Sequence, residues 1–136
     1  MTSPPSLLDT DILSAVMRKH PKATTEARAY LKIHSRLTIS IITRYEILRG
    51  LKAKKATTQS AAFDRFCNLN QVLPLTDDII VRASDIYADL HQRGMLVGDA
   101  DILIAATALV FGFSIVTNNE THFNRILGLK VENWLK

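Results

Sequence analysis

Apolar positions along the chain follow two rhythms: short continuous or β-branched runs of strand length, and longer stretches in which apolar residues recur every three or four positions. Leu7-Leu8 before Asp9 predicts a short buried strand, and Ile12, Leu13, Val16 and Met17 then give helical spacing up to His20-Pro21. A second helix is predicted from about Thr25 to Ser35, with Ala27, Tyr30 and Leu31 on one side. Leu37-Thr38-Ile39-Ser40-Ile41-Ile42 reads as strand, after which Thr43-Arg44-Tyr45-Glu46 opens a helix carrying Ile47, Leu48 and Leu51. The polar stretch Lys54 to Ser60 predicts a loop, followed by an amphipathic helix with Phe63, Phe66 and Leu69. Val72-Leu73-Pro74-Leu75 is a short strand whose proline places it at a sheet edge or a strand end. Asp77-Asp78 read as caps of a long helix through Ile79, Ile80, Ala83, Ile86, Tyr87 and Leu90, stopping near Gly94. The apolar run from Ile102 to Val116 spans fifteen residues, short of the ~20 that cross a bilayer. It predicts a buried helix feeding a strand at Ser114-Ile115-Val116-Thr117, followed by a polar turn Asn118-Asn119-Glu120 and a last short strand around Leu129-Lys130-Val131.

Strands alternating with helices predict an α/β fold, a single domain over residues 1–136 with a central, mostly parallel β-sheet flanked by helices. In such sheets ligands gather beyond the carboxyl ends of the strands. Asp9 ends the first strand, Glu46 follows the second, Asn119 follows the strand at Val116, and Asp101 opens the helix that feeds that strand. Four segments distant in sequence therefore point polar groups toward one crevice.

Composition narrows the chemistry. The lone cysteine, Cys67, excludes an internal disulfide and a Cys-rich zinc site and favours a reducing, cytoplasmic setting. Met1-Thr2-Ser3-Pro4-Pro5 has no basic region followed by an apolar run, so no secretory signal is expected there. The net charge of +4 is modest, but Arg44, Arg49, Lys52, Lys54 and Lys55 crowd one segment, and Arg18, Lys19, Lys22, Arg28, Lys32 and Arg36 dot another. Such clusters either follow a phosphate backbone or are simply solvated helix faces.

Taken singly, each acid has a plain structural explanation. Asp9 and Asp99 suit helix N-caps, Thr43-x-x-Glu46 has capping-box spacing, and Asp101 complements a helix dipole. Asp101 nevertheless shares a helical face with Ile104, Ala105 and Ala108, residues that belong in a core. Capping does not require these acids to fall at one end of a sheet. Three carboxylates in one crevice repel unless a cation neutralises them, and hard oxygen donors favour Mg²⁺ or Mn²⁺. Such a site suits phosphodiester hydrolysis. Of the scattered histidines, His122 is the one placed near the site, through Asn119.

Four segments, Leu7-Leu8-Asp9-Thr10-Asp11-Ile12-Leu13-Ser14, Ile39 to Gly50, Gly98-Asp99-Ala100-Asp101-Ile102-Leu103-Ile104-Ala105-Ala106 and Val116-Thr117-Asn118-Asn119-Glu120-Thr121-His122-Phe123, resemble in order the signature segments of PIN-domain ribonucleases. They are most similar to those of VapC-type toxins of toxin–antitoxin pairs, and the likeness extends to the ending Gly128 to Trp134. The resemblance implies a metal-dependent endoribonuclease in which Asp9, Glu46 and Asp101 form the acidic metal site for Mg²⁺ or Mn²⁺. Asp99, Asn119, Thr10 and Thr117 are implied accessory positions, and Arg44, Arg49 and Lys52 are candidates to hold the RNA backbone. Asn119 stands where the family often has Asp, and Asp11 where it commonly has Asn, so the number of metals stays open. The resemblance also implies a homodimer, a cognate antitoxin that occludes the crevice, and no membrane.

Two other readings compete. Asp9-Thr10-Asp11 after an apolar strand also resembles the nucleophile and acid pair of haloacid-dehalogenase-like phosphatases, but Asp99 and Asp101 are too closely spaced for that family's later motif and no Lys segment precedes them. The other is a PIN-like module that binds RNA or protein without cleaving, favoured by Asn119 and opposed by Asp9, Glu46 and Asp101.

Overall fold

Ser6-Leu7-Leu8 and Ser114-Ile115-Val116, both wholly buried, lie side by side at the centre of a parallel sheet. A computed structural model of the chain describes residues 4–136. The first three residues, on which part of the reading of the N-terminus fell, lie outside the described residues. The elements run β1 (Ser6–Leu8), α1 (Thr10–Met17), α2 (Pro21–His34), β2 (Thr38–Ser40), α3 (Ile41–Ala53), α4 (Thr57–Leu69), β3 (Gln71–Leu73), α5 (Asp77–Gln92), α6 (Asp99–Phe111), β4 (Ser114–Val116), α7 (Glu120–Phe123) and β5 (Val131–Glu132). Among the described residues the strands form one sheet in the order β3-β2-β1-β4-β5, and every pairing in it is parallel.

Alternate strand residues feed opposite faces of the sheet. Leu7 and Ile115 pack with Ile79, Leu90, Ile104 and Ala105 from α5 and α6. Leu8, Ile39 and Val116 pack with Ile12, Leu13, Ile47 and Phe63 from α1, α3 and α4. The central strands are thus covered on both sides, which is why they read as continuous apolar runs instead of alternating ones. The Ile102 to Val116 run behaves as expected: Ile104, Ala105, Ala106 and Ala108 are buried, and Gly112, at φ +76°, ends α6 in the left-handed conformation and turns the chain into β4. No helix of the described residues is long and apolar enough to cross a membrane.

Several boundaries move, each for a local reason. The strand expected over Leu37 to Ile42 is cut short because the Ser40 hydroxyl accepts the Thr43 N–H (3.1 Å) and starts α3 at Ile41. Ile41 and Ile42 therefore belong to a helix despite their β-branched side chains. The second helix starts at Pro21 and not near Thr25, since proline suits the first helical position and His20 Nδ1 accepts from Ala23 N at 3.3 Å. The loop expected over Lys54 to Ser60 ends early, as α4 starts at Thr57. The cap of α5 is Thr76, with Asp77 and Asp78 in its first turn, and the cap of α6 is Gly98 rather than Asp99. The last strand lies at Val131–Glu132 on one sheet edge, and β3, followed by Pro74, forms the other.

Candidate active site

The chain runs outward from β1 through β2 to β3, then crosses to β4 and β5 on the other side of β1. The strand order therefore reverses between β1 and β4, and an open parallel sheet offers a crevice at such a point. Asp9 and Thr117 sit on it. The Asp9 N–H donates to the Val116 carbonyl at 3.0 Å, and the Thr117 hydroxyl donates to Asp9 Oδ2 at 2.5 Å.

Asp9 caps α1, because its Oδ1 accepts the Ile12 N–H at 2.9 Å. It is only 5% exposed, and this burial lifts its pKa from 3.8 to about 6. The bonds from Thr117 and Ile12 pull the value down, while the charges of Asp11 and Asp101 push it up. Capping and site membership are thus compatible at Asp9.

Glu46 overturns its plain explanation. A capping box would have it reach back to the Thr43 N–H, but that donor is taken by Ser40. Glu46 Oε1 instead accepts the Thr10 hydroxyl at 2.6 Å, with Thr43 Oγ1 3.2 Å from the same Thr10 oxygen. Its Oε2 is 3.7 Å from Arg49 Nη2.

Asp101, in the first turn of α6, is half-buried. Burial raises its pKa above the ordinary carboxylate value, His122 draws it back, and the charges of Glu46 and Asp11 raise it again. Asp9, Asp11, Glu46 and Asp101 therefore share one electrostatic field. His122 Nδ1 lies 3.6 Å from Asp101 Oδ2 and 2.7 Å from Asn119 Nδ2. The Asn119 N–H donates to Thr117 Oγ1 at 2.9 Å, which ties the turn after β4 to the hydroxyl that holds Asp9.

Other expected positions fall elsewhere. Asp99 lies two residues, or about 200°, round the helix from Asp101. It lines a shallow apolar groove with Ile80, Tyr87 and Leu103 between α5 and α6. Arg44 faces α4: its Nη2 is 3.3 Å from Asp64 Oδ1 and its guanidinium lies 5.8 Å from the Phe63 ring centroid. Arg49 stays at the rim of the acidic site, over Tyr45, and Lys52 is exposed on the same helix. Arg18 and Lys54, which the sequence offered only as members of basic runs, line a groove of about 470 Å³ that also contains Thr10 and Glu46.

Hard oxygen donors around a buried acid fit a hard divalent cation. Among the described residues, however, no three His, Cys, Asp or Glu side chains converge tightly enough to cage one ion by themselves. Each carboxylate is held by a separate donor: Asp9 by Ile12 and Thr117, Glu46 by Thr10, and Asp101 beside His122. This open arrangement suits magnesium, which takes one or two protein carboxylates and retains much of its water.

A parallel sheet with acids from three segments at its switch point is the architecture of a PIN domain, and residues 6–128 match that family, described as PIN domain. The chain belongs to the PIN-domain family, within its VapC ribonuclease group. It is 39% identical over 95 residues to ribonuclease VapC1 of Methanocaldococcus jannaschii, covering 68% of each chain. It is 30% identical to ribonuclease VapC2 of Rickettsia felis over 131 residues, 96% of this chain and 98% of that one. Among solved structures, the chain superposes on VapBC2 from Rickettsia felis, bound to a DNA fragment from their promoter, with a TM-score of 0.84, 28% identity and coverage of 95% and 98%.

Proposed function

We propose that this chain is the toxin of a type II toxin–antitoxin pair, a cytoplasmic endoribonuclease that hydrolyses RNA phosphodiester bonds with Mg²⁺ or Mn²⁺. The observation that carries the reading is the mutual repulsion of acids near the sheet's switch point, where the charge of Asp101 raises Asp9 and that of Glu46 raises Asp101. Asp9 is pushed up to about 6 and Asp101 is raised as well. A buried acid held so far above its ordinary value is strained when ionised, and a cation relieves that strain. VapC relatives and a VapBC complex support the ribonuclease activity and an antitoxin partner. The homodimer is a further expectation from the family.

Asp9, Glu46 and Asp101 would hold the cation, which when bound supplies Lewis acidity toward the phosphate and a lowered pKa for water. The chain's own contribution is positioning. Thr117 and the Ile12 N–H fix both oxygens of Asp9, and Thr10 fixes Glu46 toward α1. Arg49 and Lys52, with Arg18 and Lys54 along the adjoining groove, hold the RNA backbone in this reading. Arg44 is left out of the set because it is engaged with Asp64. The phosphatase alternative falls with the PIN match. The binding-only alternative rests on Asn119, whose amide faces His122 and adds no charge.

Asp101→Asn tests the reading. Purified variant and wild type are assayed on total cellular RNA, with and without excess EDTA, and their folding is compared by circular dichroism. The expected outcome is loss of cleavage in the variant, and in EDTA-treated wild type, with the fold intact. Cleavage at the normal rate in either sample would sink the metal mechanism.

A further inference from the structure

At the amino ends of β1 and β4, the opposite end of the sheet from the acidic cleft, Ser6 and Ser114 pair in register and are almost fully buried. Their hydroxyl oxygens lie 2.9 Å apart, and Glu132 Oε2, reaching across from β5, lies 3.1 Å from one and 3.3 Å from the other. Two hydroxyl protons cannot fill three contacts, so Oε2 accepts two hydrogen bonds at most. Glu132 Oε1 has no hydrogen-bond partner among the described residues, and no described Lys, Arg or His comes within 4.0 Å of either carboxylate oxygen. The serines hold the acid in place and leave one of its oxygens open.

That acid stands in an aromatic pocket. Tyr30 stacks on His34 with ring centroids 4.3 Å apart and tilts against Trp134 at 5.8 Å. The Tyr30 hydroxyl accepts the Ser6 N–H at 2.9 Å, which fixes the ring over the serine pair. Burial raises the Tyr30 pKa, the Ser6 bond lowers it, and the charge of Glu132 raises it again, so the negative charge is felt inside the pocket. With Glu26 and Lys130 at its wall, the cavity measures about 180 Å³.

We propose that this pocket binds the head of an organic cation, a guanidinium or alkylammonium group, with Glu132 as its counter-ion and Tyr30 and Trp134 as its walls. A carboxylate only accepts hydrogen bonds, so the open Oε1 calls for an N–H donor. The electron-rich faces of aromatic rings favour a cation in the same place, and the two acids outnumber the one lysine. Size agrees, because the cavity is smaller than the ~300–1,000 Å³ of pockets that take drug-sized ligands and suits a head group. The excess of negative charge also disfavours a ligand that carries phosphate. Two sources present this chemistry, the side chain of a basic residue on a partner polypeptide and a free polyamine.

Trp134 is the only tryptophan in the chain, so its fluorescence reports occupancy of the pocket directly. The full chain in EDTA is titrated with N-acetylarginine amide, with spermidine, with guanosine monophosphate, and with NaCl at matched ionic strength. Backbone ¹⁵N spectra locate each response. The expected result is a saturable Trp134 signal with one or both cations and none with NaCl, accompanied by shifts at the amides of Ser6, Ser114 and Glu132. Glu132→Gln keeps an acceptor for the two serines and should weaken cation binding about tenfold or more, the loss of one charge-assisted bond. Circular dichroism checks its fold, and Glu26→Gln, which leaves the serine network untouched, should weaken binding by a smaller factor. Preference for the arginine derivative assigns the site to a polypeptide side chain, and preference for spermidine to a free polyamine. The proposal is overturned by the lack of a saturable response to either cation, by a response to the nucleotide alone, by shifts confined to the acidic cleft, or by undiminished binding in a folded Glu132→Gln.

Discussion

Replacing Asp9 with Asn should make the protein more stable while abolishing its activity. Folding holds the Asp9 pKa at about 6 against an ordinary value of 3.8, and at 1.36 kcal/mol per pH unit that difference costs the ionised native state about 3 kcal/mol. The folded protein binds this proton more tightly than the unfolded chain. The contribution to stability is therefore fully present below about pH 3.8, is lost as pH rises through about 6, and stays lost above it. Asn brings no charge to bury and ranks with Asp as a helix cap, so the Ile12 N–H keeps its acceptor. The loss falls at Oδ2, where the Thr117 hydroxyl now donates. An amide nitrogen there reverses the bond and leaves the Thr117 proton to find another acceptor, at a cost of ~1 kcal/mol.

The net expectation is a gain of about 2 kcal/mol at pH 8, or roughly 7 °C in Tm for a domain of this size. Urea unfolding of both proteins in EDTA, at pH 8 and pH 5, measures it. The gap should shrink by about 1.4 kcal/mol at the lower pH, where the wild-type acid is mostly protonated in the folded state. RNA cleavage by the variant should be absent at both. A gap that does not change with pH, or a variant less stable than wild type at pH 8, would refute the claim that Asp9 is an electrostatically strained acid.

Two further expectations follow from the hydrogen-bond and ion-pair geometry. Thr117→Val removes the donor that steadies ionised Asp9, so Asp9 should titrate still higher. A pH–rate profile should then show its acid limb moved to higher pH, with a stability loss of ~1.5–3 kcal/mol at pH 8; an unmoved limb would separate Asp9 from the rate. Arg44→Ala, which loses Asp64 and the Phe63 ring, should cost stability by ~1 kcal/mol and leave RNA affinity nearly unchanged. Arg49→Ala should instead weaken binding and reduce the slope of log affinity against log salt by about 0.7. The opposite assignment in filter-binding titrations would show that the two arginines have been placed on the wrong sides of α3.

The fold was legible where burial dictates pattern. The Leu7-Leu8 and Ser114 to Val116 strands are covered on both faces and read as unbroken apolar runs, as does the core of α6. The sequence misleads where a side-chain hydrogen bond outweighs local propensity. Ile41 and Ile42 look like strand, yet Ser40 caps a helix over them, and this also takes the Thr43 N–H that a capping-box Glu46 would need. Contacts between distant elements left no local trace. Nothing near Arg44 in sequence announces Asp64 on α4, and His122 was legible as a neighbour of the site through Asn119 but not as the partner of Asp101. The two-residue spacing of Asp99 and Asp101 did carry their separation, since it sets them about 200° apart on one helix.

Helix capping and a place in the cleft were posed as alternatives for these acids, and at Asp9 the fold combines the two. α1 and α3 begin where β1 and β2 end, and α6, which follows α5 and runs down into the start of β4, has its N-terminus at the same end of the parallel sheet. Exposed N–H groups and helix dipoles there favour negative charge by ~0.3–1 kcal/mol, up to ~2 in partly buried geometry. Burial costs Asp9 about 3 kcal/mol even after its bonds to Ile12 and Thr117 have pulled the value down. The helix ends therefore assemble the acids without neutralising them. Ser40 and Gly98 cap α3 and α6 in place of an acid, which leaves Glu46 and Asp101 free to face the cleft beside Asp9. That residual charge is the physical ground of the proposed cation requirement.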